Sequence, residues 1–332
     1  MDVKWASRIA ELPPYLFAEI DEKKNELKAS GVDVIDLGVG DPDIPTPPNI
    51  IEALKKAADD PANHRYPSYQ GMMSFRQAVA DWYKVRFDVD LDPASEVVAL
   101  IGSKEGIAHT PLAFLDPGDV GLYTDPGYPV YPTAISFAGG TPHALPLLKE
   151  NEFLPELDAI PEDIRRKAKI MFMNYPNNPT TAVAEEGFFN EAVKFAADNN
   201  ILICHDAAYT EMAYEGYKPL SFLQTDGAKE LGIEFHSLSK TFNMTGWRIG
   251  FAVGNKKAIA GLGKIKTNID SGAFQAIQYA GIEALKNYSL GLEDRKKILQ
   301  ERRDIFCKVL DEAGISYLLP KANVYLWLET PN

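Results

Sequence analysis

The sequence carries one stretch whose residue types suit covalent chemistry: Ser237-Leu238-Ser239-Lys240-Thr241-Phe242-Asn243-Met244-Thr245-Gly246-Trp247-Arg248-Ile249-Gly250. It sets one amine among small hydroxyls between two apolar runs, with a guanidinium further along. A lysine in such a setting can be desolvated, lose its proton and attack an aldehyde. Arg248 then suits a phosphate. A solvated surface loop is the competing reading, and a short motif needs its context to decide.

That context is a series of apolar segments with polar residues at their ends. The runs at 97–101, 120–123, 170–173, 201–205 and 233–237 read as buried strands, and helical stretches such as 187–198 lie between some of them. Such alternation predicts an α/β domain with a mostly parallel sheet, whose ligands sit at the carboxyl ends of the strands. Gly102-Ser103-Lys104-Glu105-Gly106 turns from the first strand directly into a helix, which aims free backbone N–H groups at an anion. Plain helix capping by Ser103 is the alternative. Tyr128 follows the second strand, Asn178 the third, and Asp206 and Tyr209 end the fourth. Each has a dull explanation as core, turn or cap, but their joint placement with Lys240 and Arg248 argues for one site.

Towards the N-terminus, 16–27 and 49–58 read as helices and 34–40 as a short strand ending at Gly40, a residue that lets backbone approach a ligand. The loop Arg65-Tyr66-Pro67-Ser68-Tyr69-Gln70-Gly71 presents aromatics between Gly and Pro, and 324–328 reads as a last apolar strand.

Composition narrows the function. The chain has 332 residues, enough for one large domain and a smaller companion. A net charge of −13 opposes nucleic acid and anionic membranes. Two cysteines and five scattered histidines offer neither a disulfide framework nor metal-ligand spacing, so no metal is expected. The first residues lack an apolar signal core and no run is long enough to span a bilayer, so the expected location is cytoplasmic.

Taken together, these residues resemble the fold-type I pyridoxal-phosphate-dependent aminotransferases of class I/II, over essentially the whole chain. The resemblance implies a large cofactor domain, placed at 48–290, with a mostly parallel central sheet flanked by helices. A smaller α+β domain would comprise 1–47 and 291–332. It implies that Lys240 bonds the cofactor aldehyde and that Arg248, Ser237, Ser103 and Lys104 hold its phosphate. Tyr128 would stack on the ring, Asn178 and Tyr209 would bond its phenolic oxygen, and Asp206 would pair with its pyridine nitrogen. Tyr66 would reach the phosphate of a neighbouring subunit, which implies a homodimer with shared active sites. The catalytic residues are then Lys240, Asp206 and Tyr209, and the substrates an L-amino acid and a 2-oxo acid.

Within that class the sequence resembles the LL-diaminopimelate aminotransferases and their relatives, through Leu12-Pro13-Pro14-Tyr15-Leu16-Phe17, Leu37-Gly38-Val39-Gly40-Asp41-Pro42-Asp43 and Lys266-Thr267-Asn268-Ile269-Asp270-Ser271-Gly272. This implies substrate contacts at Tyr15, Gly40, Asn178 and Asn268, with 2-oxoglutarate and glutamate as the other pair. The sequence departs from the pattern at Tyr69, where a glutamate is usual, at Thr181, where a glycine usually follows Asn-Pro-Thr, and at Phe274, where a proline is common. It also stops at Asn332, before the arginine that clamps the substrate carboxylate in such enzymes, so a truncated chain that transaminates badly is expected. A pyridoxal-phosphate-dependent C–S β-lyase is the main alternative, because fold and cofactor do not fix the reaction. A non-catalytic cofactor-binding regulatory module is the other.

Overall fold

The computed structural model describes every residue except Glu11, Pro13, Pro14, Tyr15, Val39, Pro331 and Asn332, together with the side chains of Leu16, Phe17 and Ala18. Tyr15, expected near the substrate, therefore lies outside the described residues. The chain divides into two compact units, Met1–Asp41 and Pro42–Asn332.

In the first unit, helices span Ser7–Ala10 and Leu16–Ala29. The strand expected at 34–40 is not found among its described residues. Ile35 and Leu37 are 83% and 77% exposed, and no neighbouring strand supplies the hydrogen bonds that extended backbone needs. Asp36 instead accepts from Lys24 Nζ at 2.9 Å and from the Gly38 amide at 3.0 Å.

The second unit is built on a seven-stranded sheet. Its strands are β1 (Val97–Leu100), β2 (Val120–Asp125), β3 (Thr141–Pro146), β4 (Ala168–Asn174), β5 (Leu202–Asp206), β6 (Gly232–Ser237) and β7 (Gly250–Gly254). They lie in the order β1-β7-β6-β5-β4-β2-β3. Pairing is parallel from β3 through β6, whereas β7 runs antiparallel to both β6 and β1. The expected mostly parallel sheet is therefore present. Its central strands are buried on both faces, which is why they read as unbroken apolar runs rather than alternating ones. Sequence reading missed β3, an edge strand whose Pro142 and Pro146 and partial exposure hide the pattern.

Helices cover both faces. Helices Ser103–Phe114, Val130–Phe137 and Lys256–Ile269 bury Ile107, Tyr131, Ile135 and Leu262 against one side. Helices Met73–Phe87, Glu186–Asn199 and Gln275–Lys286 bury Phe75, Val79, Phe189 and Ala280 against the other. Local signals set their ends: the Asn255 side chain caps one helix by accepting from the amides of Lys257 and Ala258, and Asn200 stops another at φ 53°. A long helix, Leu292–Ala313, leads to a two-stranded ribbon of β8 (Tyr317–Leu318) and β9 (Trp327–Leu328). The strand expected at 324–328 is thus confined to its last two residues.

Candidate active site

Parallel strands deliver their last residues to one end of the sheet, and here those residues are polar. Asn174 ends β4 and pairs in register with Asp206, which ends β5; Ser237 ends β6 opposite Gly250 of β7, which also faces Leu100 at the end of β1. Neighbouring strands lie about 4.8 Å apart, so these ends form a compact row.

Lys240 sits in the single-turn helix Leu238–Thr241 that follows β6 without a loop, and it is half-buried. The Ser237 side chain caps that turn by accepting from the Ser239 amide at 3.2 Å. Ser239, not singled out from the sequence, has a buried hydroxyl with no hydrogen-bond partner among the described residues.

Arg248 and the turn before helix Ser103–Phe114 meet at Gly102. A Cβ on Gly102 would come within 2.2 Å of Arg248 Nη2, so a side chain there would expel the guanidinium. Gly102 also has φ +90°, a conformation costly for other residues. Gly250 is equally constrained, since its Cβ would lie 3.0 Å from the Ser103 amide nitrogen. Arg248 itself is exposed, with Nη1 donating to the Thr245 carbonyl at 2.8 Å. Ser103 and Lys104 form the first residues of the helix. A guanidinium beside a helix N-terminus is a good fit for a phosphate dianion.

Asp206 supplies the sharpest feature. Its carboxylate is buried; Oδ2 accepts from Tyr131 Oη at 2.9 Å, while Oδ1 has no partner among the described residues. Burial pushes its carboxyl above the ordinary range, and the Tyr131 hydroxyl opposes that rise. A buried, unsatisfied carboxylate oxygen is expensive unless a donor arrives to meet it. A protonated ring nitrogen is such a donor. Tyr131 was missed from the sequence, although it lies one helical turn after Tyr128. The Tyr128 and Tyr131 rings meet edge to face at 5.8 Å, and Tyr131 stacks on Phe172 at 5.0 Å.

Tyr209 is buried, with its hydroxyl 3.5 Å from that of Tyr325, another residue not foreseen. Burial, and then Tyr325, push its phenol well above the usual range. Asn178 is half-buried and its amide donates to Asn174 Oδ1 at 2.6 Å. Other expected positions have surroundings of their own. Asn268 is exposed and donates to the Lys264 carbonyl of its own helix at 2.8 Å, Tyr66 is 88% exposed, and Gly40 belongs to the first unit.

Two further clusters do not join the site. Glu105, His109 and Asp270 bring one donor atom each within 4.8 Å of one another. However, Lys266 Nζ lies 2.8 and 2.9 Å from the two Glu105 oxygens and 3.2 Å from Asp270, so an ammonium already bridges the two carboxylates. A cavity of about 320 Å³ is lined by Glu215, Tyr217, Lys218, Glu293, Lys297 and Asp304, none of them in the row of strand ends.

An amine on the turn after a central strand, a guanidinium at a helix N-terminus and an open buried carboxylate oxygen fit one cofactor, pyridoxal phosphate. The fold and the comparisons define the class accordingly. The family model "Aminotransferase class I and II" matches residues 32–332. LL-diaminopimelate aminotransferase of Syntrophobacter fumaroxidans is 58% identical over 98% of this chain and 84% of its own. The enzyme of that name from Maridesulfovibrio salexigens is 59% identical over 99% and 85%. Among solved structures, apo-BacF from Bacillus subtilis superimposes with a TM-score of 0.95 at 39% identity, covering 100% of this chain and 84% of that one. An aspartate aminotransferase mutant of Thermus thermophilus gives 0.93 at 27% identity, covering 99% and 86%. The chain belongs to the class I and II aminotransferases and is a pyridoxal-phosphate-dependent enzyme of that family.

Proposed function

We propose that this aminotransferase moves an amino group from LL-diaminopimelate to 2-oxoglutarate, and in reverse from glutamate. The observation that carries the substrate is the similarity to LL-diaminopimelate aminotransferases at 58–59% identity over nearly the whole chain. A dicarboxylic amino acid is the nearest alternative donor.

In this reading Arg248, Ser237 and the Ser103-Lys104 turn hold the cofactor phosphate, and Tyr128 packs against its ring. Asn178 and Tyr209 bond the phenolic oxygen, and Asp206 receives the pyridine N–H on Oδ1. Bound there, pyridoxal phosphate supplies an electron sink for the substrate Cα. The Lys240 amine is the group that would bond the cofactor aldehyde and that, when free, would hold and return the substrate Cα proton. Asp206 would supply the negative charge that favours a protonated ring nitrogen. The stretch 48–290 serves as the cofactor domain, with 1–47 and 291–332 as the smaller one.

Tyr66 reaches the phosphate of a second copy in a homodimer with shared sites; its nearly complete exposure supports that role. Tyr15, Gly40, Asn178 and Asn268 contact the substrate. A cytoplasmic location accords with two unpaired, buried cysteines and with the finding that no helix among the described residues is long and apolar enough to cross a membrane.

A panel of amino donors with and without 2-oxoglutarate tests this. Glutamate formation from LL-diaminopimelate that requires the acceptor is expected. Keto acid released without any acceptor would instead indicate β-elimination.

A further inference from the structure

Directly behind Asp206, on the opposite face of the sheet, lies a buried polar cluster centred on Glu234 of β6. Its carboxylate is fully buried and accepts five hydrogen bonds: Tyr83 Oη at 2.5 Å, Ser221 Oγ at 2.8 Å and His236 Nε2 at 3.0 Å on Oε1, with His205 Nδ1 and the Phe222 amide, both at 2.8 Å, on Oε2. With every neighbour donating, no proton is left for the carboxyl to carry. Burial alone would raise its affinity for one, but the bonds from His205 and His236 outweigh it and hold the carboxyl well below the usual range. Glu234 is therefore an anion in the protein interior, and such a charge is retained only with a cation beside it.

Two histidines face that carboxylate, and their geometry favours His205 as the cation. Tyr83 and Ser221 are neutral donors, and Arg86 beyond Tyr83 is already paired with Glu211 at 2.8 Å. His236 needs only one N–H, the one it gives to Glu234. His205 differs: its second nitrogen, Nε2, lies 3.2 Å from the Tyr175 carbonyl, so both ring nitrogens face atoms that can only accept. A neutral tautomer has one N–H and would aim a lone pair at one of these acceptors. The ring is otherwise enclosed by Phe189 and Phe222 and is wholly buried, so no competing water contact compensates.

We propose that His205 is held as an imidazolium by Glu234, and that its charge keeps the adjoining Asp206 ionised, making His205 a positioning residue for the carboxylate that faces the cofactor ring. Adjacent residues on a strand point to opposite faces, so the charge acts on Asp206 through the sheet without touching the cofactor. The proton affinity of Asp206 responds in that sense, since burial raises it while the Tyr131 hydroxyl and then the His205 charge, with a smaller contribution from His236, bring it down. The link to the ring nitrogen rests on the reading of Asp206 proposed above; the charge state of His205 does not.

Histidine-selective ¹⁵N NMR on the holoenzyme measures that state directly, because the chain has only five histidines. His205 is identified by loss of its signals in His205→Gln or, if that variant does not fold, by elimination with His64→Gln, His109→Gln, His143→Gln and His236→Gln. Both His205 nitrogens should carry protons at neutral pH, as two nitrogens that each face an acceptor require. A neutral tautomer at pH 7 overturns the proposal. Folded His205→Gln should bind pyridoxal phosphate several-fold more weakly, because Asp206 loses a neighbouring positive charge. Unchanged affinity at every pH would overturn the link to Asp206. Asp206→Ala separates the two ideas: if it keeps wild-type cofactor affinity, the reading of Asp206 fails while the His205 spectrum stands.

Discussion

The row of strand ends and the residues assigned to substrate are built differently. Asp206, Tyr209 and Asn174 are buried and tied to side chains or backbone at 2.6–3.5 Å, whereas Asn268 is exposed and Gly40 lies in a different compact unit. A cofactor that stays bound rewards preorganised, desolvated partners, because their electrostatic effect is larger and needs no rearrangement. A substrate that enters and leaves suits groups that remain accessible. The roles proposed above thus anchor cofactor chemistry largely in the core and assign selectivity to the surface of the fold.

Substitutions can break that comparison. Asp206→Ala removes the one carboxylate with an open buried oxygen among the described residues, and kcat should fall by about a thousandfold, measured under saturating cofactor. Tyr131→Phe deletes the hydroxyl on Oδ2 and frees a second carboxylate oxygen. A loss of about tenfold in kcat/KM is expected, with a thermal midpoint close to wild type. Asn268→Ala, on the exposed side of the comparison, should raise KM for the amino donor several-fold and change stability by less than about 0.5 kcal/mol. If Asn268→Ala lowered kcat as strongly as Asp206→Ala, the division between buried anchor and exposed selectivity would fail.

The smallest effect concerns Thr181. It is buried with φ +66° and an unpartnered hydroxyl, a conformation that glycine adopts freely and a β-branched residue does not. Thr181→Gly should stabilise the protein by about 1 kcal/mol in denaturant unfolding, with relief of strain offsetting the lost methyl.

Much of this was legible in the sequence because parallel strands buried on both faces announce themselves as apolar runs, and their last residues must then share one end of the sheet. Lys240, Asp206 and Arg248 could be grouped on that ground alone. Tyr131 and Ser239 could not, because nothing in their spacing shows which buried hydroxyl meets a carboxylate and which is left without a partner. The Glu234 cluster was equally hidden: it joins Tyr83, His205 and Ser221 through contacts between residues far apart in the chain. Where reading failed outright, at 34–40 and in most of 324–328, an apolar run lacked, among the described residues, the neighbouring strand that turns extended backbone into sheet.

The central claim is that Lys240 is the amine that meets the cofactor. Borohydride reduction of the yellow holoenzyme, followed by proteolysis and mass spectrometry, tests it most directly. The account predicts the phosphopyridoxyl group on the peptide containing Lys240 and no reducible adduct in Lys240→Ala. A yellow adduct that persists unchanged in Lys240→Ala, or a label on another lysine of the wild-type chain, would contradict it.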